Sequence, residues 1–225
     1  MRLLFDAATL ARKDLLVELR ARQALASAAA LATIALVVVA LAVGPEPGRL
    51  RSLAPAVVWI ALLYAALAVA ERLERIDRAD DAFSGLWLVL DDRRAIYLAR
   101  VLSLSTVLAI LQLIVWIVAV PLLDLEIRPE LVALVPLSGL TAIAAGSATA
   151  LIVALVADAA HRSLLLPVAL LPLLVPTFLA GVQASSGVLN GSLTGAGGWV
   201  SLLLIETALF GGLGLLTFET AANPE

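Results

Sequence analysis

Residues 163–205 read SLLLPVALLPLLVPTFLAGVQASSGVLNGSLTGAGGWVSLLLI, 43 positions without a charge. About 20 apolar residues cross a bilayer as α-helix, so this tract is too long for one crossing and must hold two with a fold-back. The polar, glycine-rich stretch 183–198 is the natural place to turn, which sets spans at about 164–182 and 199–218. Pro167, Pro172 and Pro176 fall within the first of these, so it is expected to kink. The segment after it is expected to re-enter the membrane partially rather than loop freely.

Working outward, four further uncharged tracts at 23–45, 52–70, 101–123 and 131–157 are 23, 19, 23 and 27 residues long. Each accommodates one crossing, at about 24–43, 54–70, 101–123 and 131–157. The chain therefore reads as an all-α membrane protein, a single transmembrane domain of six spans. The composition agrees: of 225 residues, 62% are hydrophobic and 15% charged, and the mean hydropathy is +1.06, which excludes a soluble globular domain. A transmembrane barrel needs tracts of about ten residues alternating in polarity, and none is present. Zero cysteines exclude disulfides, thiolate metal ligation and a cysteine nucleophile. A single histidine, His161, excludes a bis-histidine haem or metal site within the chain. A net charge of −3 gives no sign of nucleic-acid binding.

Residues 1–22 place Leu4, Ala8, Ala11, Leu15 and Leu19 along one helical face and Arg2, Asp6, Lys13 and Arg20 on the other, the pattern of an amphipathic helix lying at the membrane interface. A signal peptide would have a short basic start, whereas this segment also carries Asp6, Asp14 and Glu18. Gly44-Pro45-Glu46-Pro47-Gly48 stops the first span. The second is expected to start near Ala54, with Pro55 in its first turn and Trp59 near the interface. Ala142, Gly146 and Ala150, four apart in span four, permit close helix approach, and Gly211, Gly212 and Gly214 suggest the same for span six. Twelve of the fifteen Lys and Arg residues fall on the side of the N-terminal segment, loop two and loop four, against three on the other side. Both termini are therefore expected in the cytoplasm.

Loop two, residues 71–100, is the one densely charged interval and the best candidate for function. It is too short to bury its own core, so any energy-coupling domain must be another polypeptide. Asp80 or Asp81 can cap a short helix running to Leu90, with Phe83, Leu86, Trp87 and Leu90 along one face, suited to docking on a separate ATPase. Asp91-Asp92 can then start the helix into span three, with Arg93 and Arg94 at the headgroups. The alternative reading is a solvated loop of salt bridges and positive-inside residues. Glu206 is the sole acid well inside an expected span, roughly 10 Å below Trp199. It is either a protein-facing functional group, a protonated carboxyl, or a residue near the headgroups if the helix starts later. No histidine or acid pair accompanies the membrane serines and threonines, so intramembrane hydrolysis is disfavoured and no catalytic residue is expected.

Gly44-Pro45-Glu46-Pro47, Leu53-Ala54-Pro55 followed by Val58-Trp59, and Ala70-Glu71-Arg72-Leu73 followed by Arg75 and an acidic pair resemble the haem exporter protein B (CcmB) family. The likeness extends through the short helix, the basic entry to span three, the small-residue span four and the proline-rich segment 164–175. It implies an ABC-2-like, six-span permease subunit in the bacterial inner membrane, serving cytochrome c maturation. Its implied partners are a separate ATPase subunit (CcmA), the membrane subunits CcmC and CcmD, and indirectly the periplasmic haem chaperone. Haem would be cargo rather than a bound cofactor, and ATP would act through the ATPase. Either haem is exported, or ATP hydrolysis drives release of the haem-loaded chaperone; without an axial ligand pair in the chain, the second is favoured. Carried residue by residue, Glu71, Arg72, Arg75, Asp80 and Asp81 fall on the approach to the ATPase-docking element, and Gly85 to Leu90 would be that element. Asp91-Asp92 stands where the family often has a proline, and Glu206 is not expected from the family. An ABC-2 exporter of lipid, polysaccharide or drug shares the architecture, and a non-transporting membrane scaffold is the reading of another class.

Overall fold

The computed structural model of the chain describes residues 2–21, 23–80, 92–156 and 162–220. They form α1 (Arg2–Ala21), α2 (Gln23–Val43), α3 (Pro47–Asp80), α4 (Arg94–Leu122), α5 (Leu134–Leu155), α6 (Arg162–Leu189) and α7 (Leu193–Thr220), with a 3-10 turn at Pro129–Ala133 leading into α5. No strand occurs among the described residues. Among the described residues, six segments are long and apolar enough to cross a membrane: Leu25–Val43, Pro47–Arg72, Arg94–Leu122, Pro129–Leu155, Leu164–Leu189 and Gly195–Phe218. The chain is an all-α, multi-span membrane protein. Alternate crossings place α1, the end of α3, the start of α4, the end of α5, the start of α6 and the end of α7 on one face, here the basic face. The α2–α3, α4–α5 and α6–α7 connections lie on the opposite face.

Helices α3 to α6 form the middle of the bundle, with α2 against α3 and α4, and α7 against α5 and α6. The apolar stretches of α3 and α5 are 56% buried inside the chain, against 17% for those of α2 and α7, so the first and last spans are peripheral. Helix α1 packs along α4. Ala7 and Ala11 are buried there, while Leu4 and Ala8 are exposed, so the expected apolar stripe divides. The reason is packing: two alanines let the helices approach closely, and the bulkier Leu4 and Phe5 are turned outward.

Expected boundaries move in three places. Span two starts at Pro47, with Arg49 and Leu50 donating their backbone N–H groups to the Glu46 carbonyl, and Pro55 therefore sits inside the helix rather than in its first turn. At the other end α3 runs on to Asp80, and α4 starts at Arg94, so helix covers much of the interval 71–100 expected as a loop. The expected sixteen-residue fold-back at 183–198 is a tight turn at Asn190, Gly191 and Ser192, closed by Asn190 N–H to Ser186 O, Gly191 N–H to Val188 O and Ser192 N–H to Gly187 O. Gly191 takes φ +70°, a left-handed conformation that glycine adopts without a steric penalty. Gly187 lies so close to this turn that a Cβ there would come within 2.9 Å of the Ser192 carbonyl oxygen. Of the glycines of 183–198, Gly187 serves close packing and Gly191 the turn, while Gly197 and Gly198 have open space beside them, and no re-entrant segment forms.

Candidate functional site

On the basic face, α3 carries its helix from the membrane into the charged segment. Glu71 is exposed at one end of a cleft of about 370 Å³ between α2 and α3, lined also by Leu31, Ala35, Ala61, Tyr64 and Leu67. Arg72 is half-buried one position on. Arg75 and Asp80 lie on the helical extension beyond. Asp81, Phe83, Gly85, Leu86 and Trp87, with the rest of the expected coupling helix, lie outside the described residues, as does His161. The far side of the segment is anchored by Asp92, whose carboxylate accepts the backbone N–H of Arg94 at 3.0 Å and its Nε–H at 3.1 Å. That hydrogen bond from the Arg94 side chain, ahead of the backbone bond and the charge, holds the Asp92 carboxyl below its ordinary range. The expected acidic start of this helix is therefore present, through Asp92.

Just inside the membrane from that anchor, Tyr97 is buried and donates its hydroxyl to the Phe210 carbonyl at 2.8 Å. Its ring lies against Gly214, where any Cβ would overlap it, and 5.5 Å from the Phe218 ring. Of the three glycines expected to pack in span six, Gly214 does so; Gly211 and Gly212 have open space beside them. In α5, Gly146 meets the hydroxyl and backbone of Ser105 on α4, and Ala142 and Ala150 are buried, the close approach that their spacing predicts.

The middle of the bundle is organised by Trp59. It is 1% exposed and lies about 18 Å along α3 from Pro47, not near an interface as expected. Its indole N–H donates to Ser185 Oγ at 2.9 Å, its ring covers Gly181, and Phe178 meets it edge-on at 5.9 Å. One residue before Phe178, Thr177 donates its hydroxyl to Glu206 Oε2 at 2.8 Å. Glu206 is 7% exposed. Because α7 starts before Trp199, the carboxyl lies deeper than the sequence suggests, near the centre of the Gly195–Phe218 span and about 16 Å from Gly195. The carboxyl thus stands midway along the apolar span rather than near either of its ends.

On the opposite face, Arg51 at the start of α3 donates Nε–H to the Asp124 carbonyl at 2.7 Å and pairs with the Asp124 and Glu126 carboxylates. Arg128 also donates to Glu126, and this bond, followed by the charges of Arg128 and Arg51, depresses the Glu126 carboxyl. Arg51, Glu126 and Arg128 border a cleft of about 340 Å³ reaching Glu130 and Asn190. Among the described residues no group of three or more His, Cys, Asp or Glu side chains is arranged to hold a metal.

Sequence comparison matches the family model described as CcmB protein over residues 6–224. The chain belongs to the CcmB family. Heme exporter protein B of Bradyrhizobium diazoefficiens is 33% identical over 156 residues, 68% of each chain. Heme exporter protein B of Escherichia coli K12 is 38% identical over 63 residues, 28% of this chain and 29% of that protein, and the protein of the same name from Shigella flexneri matches over the same shares. In this CcmB-family chain the string around Trp59 becomes the bundle's central seam. Sequence reading missed Ser185, Thr177, Tyr97 and Arg51. Their partners, Trp59, Glu206, Phe210 and Asp124, lie 29 to 126 positions away in the chain, so no local signal marks them.

Proposed function

We propose that this chain is the permease subunit of an ABC-type complex of cytochrome c maturation. It lies in the bacterial inner membrane with both termini in the cytoplasm, where twelve of its fifteen basic residues also fall. It is not itself an enzyme: a separate ATPase, CcmA, hydrolyses ATP, and CcmC and CcmD complete the membrane assembly. The work done is haem export or release of the haem-loaded periplasmic chaperone. CcmB-family membership and relatives named heme exporter protein B support this reading.

The observation that carries the coupling is the unbroken α3. The span ends near Arg72 and the helix continues to Asp80, a rigid extension of about 12 Å. A continuous helix transmits displacement, whereas a flexible loop would absorb it. Glu71, Arg72, Arg75 and Asp80 lie on this lever, and Asp81, Phe83, Gly85, Leu86 and Trp87 follow it in sequence as the element that meets the ATPase. Movement there shifts α3, and with it α6 through the Trp59 seam. Replacing Glu71, Arg72 and Arg75 together by alanine should abolish c-type cytochrome formation and stimulated ATPase activity while the chain still inserts in the membrane. Unchanged cytochrome levels would overturn the assignment.

A further inference from the structure

Glu206 has no place in that scheme, yet it occupies the most demanding position in the molecule for an acid. It lies at the centre of α7's span and on the helix's packed stripe, with Leu203, Gly214 and Phe218. The antiparallel register of α6 and α7 is fixed twice, by Thr177 against Glu206 and by Gly187 against Ala196. Glu206 therefore points into the seam between helices.

Nothing on the facing elements supplies a counter-charge at that depth. Residues 134–155 of α5 and 163–189 of α6 include no Asp, Glu, Lys, Arg, His or Tyr. On α4, the remaining helix packed against α7, the titratable groups are Arg94, Tyr97 and Arg100. Tyr97 meets Gly214, eight residues along α7 from Glu206, about 12 Å toward the basic face. A carboxylate without a cation in this setting carries a desolvation penalty that neutralisation removes. Thr177, itself fully buried, is suited to the neutral form, because its hydroxyl can donate to the acid's carbonyl oxygen or accept from its O–H.

We propose that Glu206 and Thr177 form an intramembrane proton-binding site, in which a neutral carboxylic acid at the middle of the bilayer holds α6 against α7. The ligand is a single proton taken from water: the carboxylate gains it and the acid's charge falls to zero. The site lies where α6 is weakest along its backbone, because Pro172 and Pro176 contribute no N–H to the helical ladder and Thr177 directly follows the second. Loss of the proton would place a charge in the seam and favour separation of α7 from that point of α6. This role is independent of the transport reading and holds for any cargo.

The test is infrared spectroscopy of the intact protein in hydrated lipid membranes at neutral pH, comparing wild type with Glu206→Gln, whose amide can take the same bond from Thr177. The wild type should show a protonated-carboxyl C=O band that Glu206→Gln lacks. In Thr177→Val the band should persist but move to higher frequency, as a carbonyl does on losing a hydrogen bond. Carboxylate bands in place of the acid band, or a band position unmoved by Thr177→Val, would overturn the proposal. Should Glu206→Gln fail to accumulate, the shift in Thr177→Val decides the matter alone, since a role confined to packing predicts no shift. Cytochrome assays are not needed, so failure here leaves the transport reading standing.

Discussion

Helix α6 is held on two sides by different physics. Toward α3, a tryptophan lies flat on Gly181 and is tied by one hydrogen bond to Ser185, so the contact is mainly one of shape. Toward α7, the central contact is Thr177 with Glu206, a polar pair in an otherwise apolar seam. Helices in lipid gain no hydrophobic driving force from meeting one another, so close packing and interhelical hydrogen bonds decide which seams are firm. The difference teaches that the first seam should be intolerant of added volume and insensitive to pH, while the second should tolerate uncharged replacements of matching size.

The largest effect is expected from adding volume to the first seam. A Cβ at Gly181 would lie 2.8–2.9 Å from the Trp59 ring, so Gly181→Leu should destabilise the bundle by about 1–3 kcal/mol or more, read as a fall in melting temperature in mild detergent and in accumulation in the membrane. A wild-type melting curve would break the comparison. Gly214→Leu, directed at the Tyr97 ring, should act similarly on the attachment of α7 and provides a control at the basic face.

Next in size is Ser185→Ala, which leaves the buried Trp59 indole N–H without its acceptor and should cost about 1–2 kcal/mol, with no change across neutral pH. By contrast, replacing Thr177 and Glu206 together by Val and Leu should be nearly neutral in stability, because both polar partners leave at once. If the double variant lowered the melting temperature as much as Gly181→Leu, the second seam would be as shape-dependent as the first. The smallest effect belongs to the exposed cluster on the opposite face. The Glu126 carboxyl is depressed in the folded chain by Arg128 and Arg51, so its contribution is complete above the unfolded value of about 4.3 and is lost as pH falls through the lower folded value. Melting curves taken from neutral to acid pH should therefore show a slightly shallower acid loss in Arg128→Gln than in wild type; the pair is solvent-exposed, so the difference is small.

Much of this molecule was legible because a bilayer imposes a length on apolar helices. The absence of charge across residues 163–205 required two crossings, and the four shorter tracts required one each. The acidic start of α4 was legible too, since a carboxylate beside exposed first-turn N–H groups is a local effect, and Asp92 supplies it. Boundaries were less legible where charge and helix part company. Charged residues past Arg72 suggested a loop, yet an α-helix continues into water wherever its backbone bonds are internally satisfied, and α3 does so to Asp80. Glycine and serine at 183–198 suggested a turn of many residues, but small side chains also suit a close helical hairpin, and three residues suffice.

The sequence by itself determined the class, the number of spans, the asymmetry of basic charge and the family strings, because each depends on composition or on residues near one another in the chain. Only the tertiary structure decided what the single tryptophan of α3 and the acid midway along α7 face. Trp59 reaches Ser185 across 126 positions of chain and Glu206 reaches Thr177 across 29. Contacts of that kind are set by the register of packed helices, and a register leaves no local mark on the residues that define it.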